Sequence, residues 1–178
     1  MTNTSLADKN QAYWKCIGID LSDGMLDKYR ATAASLGLPE SRMMAVQGNL
    51  LTPRVQPTIP SLDDEELNGF DLVAICMALH HVEDIQLATQ RLASRLRPGG
   101  VFLIIDWATR DSSAVSEHVS LDAVNPEHFA ACTISHDIFT QEQIVSLFDQ
   151  AGCGDAQFVL ADRLSDVPGA RSGKMQLF

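Results

Sequence analysis

Two continuous apolar runs, separated by a segment of helical period, dominate the middle of the chain. Residues 72–79 (LVAICMAL) are almost wholly apolar and do not alternate, as befits a strand covered on both faces in a parallel sheet. The polar step His80-His81-Val82-Glu83-Asp84 follows. Asp84 is placed to cap a helix whose Ile85, Ala88, Leu92 and Leu96 recur along one face. Pro98, Gly99 and Gly100 stop this helix, because proline cannot continue it and glycine tolerates left-handed backbone. Residues 101–105 form the second apolar run, closed by Asp106. Two strands joined by such a crossover helix are expected to be parallel and connected with a right-handed turn.

The flanking sequence extends the pattern. Residues 14–21 (WKCIGIDL) read as a buried strand ending on Asp20, with Ser22 capping a helix whose Met25, Leu26, Tyr29, Ala33 and Leu36 share one side until Gly37 ends it. Residues 41–46 are a third strand, closed by Gly48-Asn49-Leu50. Residues 6–13 are read as helical. Residues 51–69, with Pro53, Pro57, Pro60 and the acids at 63–66, read as a surface loop with one short helical turn, its charges a solvated face. Residues 108–137 are polar with scattered Val115, Val119, Leu121 and Phe129, which suggests one or two short helices. Thr140 and Gln143 form a capping box ahead of Ile144, Leu147 and Phe148, and Ala151-Gly152 ends that helix. Residues 156–160 and 174–178 read as an antiparallel closing pair. Strands alternating with helices make an open α/β sheet, in which ligands bind beyond the carboxyl ends of the parallel strands. Asp20, Asn49, His80/His81 and Asp106/Trp107 stand at such ends.

Composition narrows the function classes. The 178 residues, 46% of them apolar, suffice for one domain, 1–178, with a sizeable core. A formal charge of −10 argues against a nucleic-acid partner, since such binding rests on clustered Lys and Arg. Cys16, Cys76, Cys132 and Cys153 have neither CxxC nor Cys/His ligand spacing, so reduced, buried thiols in a cytoplasmic protein are expected. The first fifteen residues lack the apolar core of a signal peptide, and no run is long enough to span a membrane. No metal site is expected: His80 and His81, adjacent in an extended segment, would point to opposite sides, and no third ligand has suitable spacing.

Four segments in order, CIGIDLSDGML, VQGNLL, FDLVAICMALHHVED with its LRPGG, and IFTQEQIVSLFDQAG, resemble the class I S-adenosylmethionine-dependent methyltransferases, in particular the small-molecule members with a single methyltransferase domain. The resemblance runs from about residue 14 to 178. It implies a Rossmann-like α/β sheet, mostly parallel with an antiparallel C-terminal strand, and S-adenosylmethionine as cofactor. Asp20 matches the acid that accepts hydrogen bonds from both ribose hydroxyls, a task suited to a carboxylate, which only accepts. The plain alternative is that Asp20 only helps Ser22 cap the helix, but the D-x-S-x-x-M-L context favours the ribose role. Leu21 and Met25 match apolar positions beside the adenine, although a methionine on a helix face is as often core. Asn49, with Leu50 beside it, stands where the family often carries an aspartate that accepts from the adenine amino group; its amide oxygen could still accept, and a Gly-Asn turn is itself a sufficient reason for asparagine. Met77 and His81 match the wall along the methionine portion of the cofactor. Methyl transfer is an in-line displacement that depends on positioning, with a general base needed only for acceptors that carry a proton. For a hydroxyl acceptor His81 or His136 could take that proton, a neutral imidazole near pH 7 being suitable. A packed or surface imidazole is the plain alternative for either.

The chain departs from the family at its front. Members open with a strand and a turn of the form D-x-G-x-G, whereas residues 1–15 contain no glycine, so the first strand and the glycine loop are expected to be missing. In the family that strand lies between the one ending at Asp20 and the one over 72–79. With strands ~4.8 Å apart, its loss would open a gap near ~10 Å, to be closed by the halves or covered by another chain, in a homo-oligomer or with a partner. Three readings follow: a shortened methyltransferase acting on a small molecule, a catalytically inactive methyltransferase-like partner subunit, or a nicotinamide-dependent dehydrogenase. The last also needs the glycine loop and does not account for HHVED and LRPGG.

Overall fold

The computed structural model of the chain describes residues 14–51, 57–108, 127, 131–136, 138–167 and 174–178. Met1–Leu62 and Asp63–Phe178 are two compact units, each taken by itself below. The helix expected over 6–13 and most of the segment expected to carry short helices over 108–137 lie outside the described residues.

The first unit is a parallel strand-helix-strand: β1 (Cys16–Asp20), α1 (Asp23–Ser35) and β2 (Met43–Gln47), in register from Cys16 opposite Met43 to Asp20 opposite Gln47. Leu26 and Ala33 of α1 are buried, as are Ala45 and Val46 of β2. The expected helix face is only half correct, because Met25 and Leu36 are exposed. Those two share a line on the helix about 80° from that of Leu26 and Ala33, too wide for one narrow ladder to cover both. Gly18 exists for Tyr29: a Cβ there would lie 2.6 Å from the tyrosine ring, which crosses β1 to donate from its hydroxyl to Cys16 Sγ at 3.2 Å. Gly37 (φ +67°) ends α1 in a Schellman motif, with Leu38 N–H donating to Ala33 O and Gly37 N–H to Ala34 O.

The second unit repeats the plan with β3 (Phe70–Cys76), α2 (Ile85–Ala93) and β4 (Leu96–Ile105), the strands again parallel. α2 begins as expected, Asp84 accepting from Leu87 N–H at 2.9 Å. It ends earlier than expected. Leu96 already belongs to β4, opposite Phe70, and Pro98-Gly99-Gly100 is an irregularity within that strand, since the next pair is Leu72 with Val101. Gly99 takes φ +76°, and Gly100 lies so close to Phe70 O that a Cβ would stand 2.8 Å from it. β3 also stops sooner, at Cys76. Met77 has φ +52° and Leu79–His81 form a turn of 3-10 helix, so the two histidines are not in extended backbone.

α3 (Gln141–Gln150) carries the expected capping box, Thr140 and Gln143 each receiving the other's backbone N–H, and Gly152 (φ +76°) follows its end. Ile144, Leu147 and Phe148 are buried, and Phe148 meets Phe102 of β4 edge to face at 5.3 Å. The closing pair differs from expectation: β5 (Ser165–Asp166) and β6 (Lys174–Met175) are antiparallel partners, while residues 156–160 form no ladder although Ala156, Phe158 and Leu160 are less exposed than Gln157 and Val159. The chain end instead bridges the end of β4, with Leu177 antiparallel to Trp107 and Phe178 N–H donating to Asp106 O. The acids at 63–66 make a turn in which Asp63 and Glu66 cap one another, and Asp64 pairs with Arg95 at 3.0 Å.

Two burial expectations are corrected. Strand β3 is covered on one face only: Val73 and Ile75 are partly or fully buried, whereas Leu72 (54%) is exposed beside Val101 (59%) and Leu103 (41%) of β4. The four cysteines form no disulfide, but Cys16, Cys76 and Cys132 are exposed rather than buried, because the alternate positions of half-covered strands and short turns carry three of them. Among the described residues no helix is long and apolar enough to cross a membrane, and no group of three His, Cys, Asp or Glu side chains is arranged to hold a metal.

Candidate functional site

In the first unit the carboxyl ends of β1 and β2 are neighbours, and the sequence after each turns away at once. Asp20 Oδ1 accepts Ser22 N–H at 2.7 Å, which fixes the carboxylate at the start of α1; its other oxygen has no partner among the described residues. Ser22 is the N-cap residue by position, but its side chain makes no capping bond. The turn after Asp20 is tied across the ladder, since Gly48 N–H donates to Asp20 O and Gln47 Nε2 to Leu21 O. Leu21 (65%) and Met25 (51%), one and five positions after Asp20, are exposed apolar side chains. On the β2 side, Asn49 Oδ1 accepts Leu51 N–H at 2.8 Å, an Asx turn that uses one lone pair of the amide oxygen. Asn49 and Leu50 are partly buried.

In the second unit the ends of β3 and β4 are joined by a polar cluster built on Asp106. This carboxylate is fully buried. Its Oδ1 accepts from His80 Nδ1 at 2.7 Å and from Trp107 N–H at 2.8 Å, and its Oδ2 from His80 N–H at 3.2 Å. A buried carboxylate must recover its lost hydration from donors, and three are supplied here. The His80 ring also stacks on Trp107, with centroids 3.9 Å apart and planes 15° from parallel. Met77 N–H donates to Ile105 O at 2.7 Å, and the Met77 side chain packs with Ile134, Ile138 and Leu177 against Trp107, Val167 and Met175. Trp107 Nε1 is buried and has no hydrogen-bond partner among the described residues.

His80 and His81 therefore occupy different environments, as the sequence suggested, but through a turn rather than strand alternation. His80 is packed under the loop, and His81 is exposed with Nδ1 at 3.0 Å from both the carbonyl and the hydroxyl of Thr133. A carbonyl only accepts, so that contact assigns the proton to Nδ1 and leaves Nε2 of His81 as the acceptor. His136 is partly buried, with Nε2 3.3 Å from Glu83 O, which by the same reasoning leaves Nδ1 as its acceptor. The structure thus places Met77, His81 and His136 around one hydrogen-bonded turn, and Asp20, Leu21, Met25, Asn49 and Leu50 around the paired ends of β1 and β2.

Asp106 is the residue whose importance the sequence understated. Its signal was present: an acid directly closing an apolar run is buried by its neighbours and must find donors. Its partner, His80, is 26 positions away and comes within reach only through the parallel register of β3 and β4.

Residues 2–102 match the family model described as a methyltransferase domain. The chain is 28% identical over 151 residues to an uncharacterized methyltransferase of Schizosaccharomyces pombe, the match covering 80% of this chain and 47% of that protein. It is 26% identical over 106 residues to the uncharacterized methyltransferase YcgJ of Bacillus subtilis, covering 60% and 37%. The chain thus spans less than half the length of these relatives. Among solved structures, one titled a putative methyltransferase from Bacillus halodurans superposes with TM-score 0.63 at 16% identity, over 85% of this chain and 58% of that one. An O-methyltransferase family protein of Burkholderia thailandensis gives 0.58 at 19% identity, over 92% and 42%. At these identities the likeness shows a shared fold, the Rossmann-like α/β sheet.

Proposed function

The chain belongs to the methyltransferase-domain family, and from that membership we propose that it binds S-adenosylmethionine and directs its methyl group to a small-molecule acceptor. The observation that carries this reading is Asp20. It closes a strand, one oxygen is held by Ser22 N–H, the other has no partner among the described residues, and Leu21 and Met25, one and five positions further on, are exposed. An oriented carboxylate with a bare lone-pair edge suits a ribose diol, and the adjoining apolar side chains suit a purine. Asn49 and Leu50 would complete that side, the asparagine through the second lone pair of its amide oxygen. When bound, the cofactor supplies a methyl group activated by its sulfonium. Taken by itself, the second unit would contribute Met77 and the 79–81 turn for binding and orientation, and His81 Nε2 or His136 Nδ1 to take a proton from a hydroxyl acceptor. Cytoplasmic residence belongs to the same proposal, supported by four cysteines that form no disulfide.

A second reading, a catalytically inactive subunit completed by another chain, is favoured by the exposed Leu72, Val101 and Leu103 face. Titration calorimetry of the 178-residue chain with S-adenosylmethionine separates the two. We expect heat of binding that Asp20→Ala abolishes. No heat at millimolar cofactor sinks the enzyme reading, and unchanged affinity in Asp20→Ala means the ribose site is elsewhere.

A further inference from the structure

Two segments that carry the proposed proton acceptors meet at His80, a residue that nothing above assigns to cofactor or acceptor. Asp106 holds His80 twice, at Nδ1 (2.7 Å) and at its backbone N–H (3.2 Å). His80 in turn offers its carbonyl to the segment behind it, accepting from Ser135 N–H at 2.8 Å and His136 N–H at 3.1 Å. Thr133 of the same segment holds His81. On the other side of the carboxylate, Ile105 O accepts from Met77, a non-glycine residue at φ +52°. Such a backbone persists only where its surroundings over-determine it. The stack of His80 on Trp107 fixes the ring plane, and Trp107 N–H is itself bound to Asp106.

We propose that Asp106 and His80 form a positioning dyad that sets the 77–81 turn and the 133–136 segment as one unit, and so places His81 and His136 relative to each other. The role assigned to those histidines rests on the methyltransferase reading; the dyad itself does not. Because a carboxylate only accepts, the dyad requires the His80 proton on Nδ1, the less common tautomer of a neutral imidazole in water. Neither Asp106 nor His80 is asked to touch the cofactor or acceptor.

The test uses the whole chain labelled with nitrogen-15. In the wild type, long-range proton-nitrogen spectra should show His80 protonated at Nδ1. In Asp106→Asn the single amide oxygen can accept only one of the two His80 donors, so one of the two holds should break, and the backbone amide signals of Met77 to His81 and of Ser135 and His136 should shift together while those of α1 and β2 stay in place. His80→Asn, whose amide N–H can stand where Nδ1–H stood, should keep the Ser135 and His136 signals near their wild-type positions; His80→Leu should not. S-adenosylmethionine affinity should fall by about tenfold in Asp106→Asn, the scale on which orienting partners act. A wild-type His80 protonated at Nε2, or unmoved Ser135 and His136 signals in Asp106→Asn, overturns the proposal. Should Asp106→Asn fail to fold, the wild-type tautomer and the two His80 variants decide it. If the wild type binds no cofactor while the spectra behave as stated, the methyltransferase reading fails and the dyad stands.

Discussion

Cys76 ends β3 on its uncovered face, and the residue as a whole is exposed. Its thiol is nevertheless pushed above the ordinary thiol range, first by burial of the sulfur and second by the neighbouring Asp106 charge. A raised value means less thiolate at any pH below it, hence slower attack on an electrophile. At about pH 8, below the usual thiol value of about 8.5, the Cys76 peptide should alkylate with iodoacetamide more slowly than in the urea-unfolded chain. Asp106→Asn should speed the reaction by removing the charge. Quantitative mass spectrometry reads both, and a native rate equal to or above the unfolded one contradicts the assignment. Asp20 and Asp106 make the residue-scale contrast plain. Each closes an apolar run, so both were visible as strand ends. Asp20 meets a partner two positions on, at Ser22, whereas Asp106 finds His80 across a ladder, which local pattern does not encode.

At the scale of elements, local chemistry is legible in the sequence and tertiary demands are not. The α3 start needs only Thr140, Gln143 and the apolar positions behind them, all within nine residues, and it forms as expected. Thr140→Ala removes one half of that box and should cost about 1 kcal/mol. That corresponds to a fall of about 2–4 °C in Tm for a chain of this size, measurable by circular dichroism. Gly18→Ala should do more, about 1–3 kcal/mol, because the new methyl must displace the Tyr29 ring from β1. A Gly18→Ala protein as stable as the wild type would show that Tyr29 does not pack there. The misread elements share a cause. Leu96 fits the helical period of α2, yet the need of Phe70 for a partner draws it into β4, and the glycines that look like a helix stop absorb the resulting mismatch. Residues 156–160 alternate like a strand, but the end of β4 is bridged by Leu177, so the pattern alone does not make a ladder.

Across the whole molecule the dominant physical fact is charge: 23 acidic against 13 basic residues, a net −10. That balance sets up a field attractive to cations at low salt. S-adenosylmethionine carries a sulfonium and one net positive charge near neutral pH, while its demethylated product, S-adenosylhomocysteine, is a neutral zwitterion with otherwise the same groups. The pair separates field from contact. Contacts with the ribose and adenine are common to both, so their salt dependence cancels in the ratio of affinities. The field acts on the sulfonium alone, and it weakens as the Debye length falls from about 30 Å at about 0.01 M salt to about 8 Å at about 0.15 M. Affinity for the sulfonium should therefore drop several-fold between those salt concentrations, and that for the product should change little. Calorimetric titrations of both ligands at the two concentrations measure the slopes directly. Equal slopes would mean that the acids are dispersed over the surface and do not act on the sulfonium, leaving the proposed recognition to Asp20 and its neighbours.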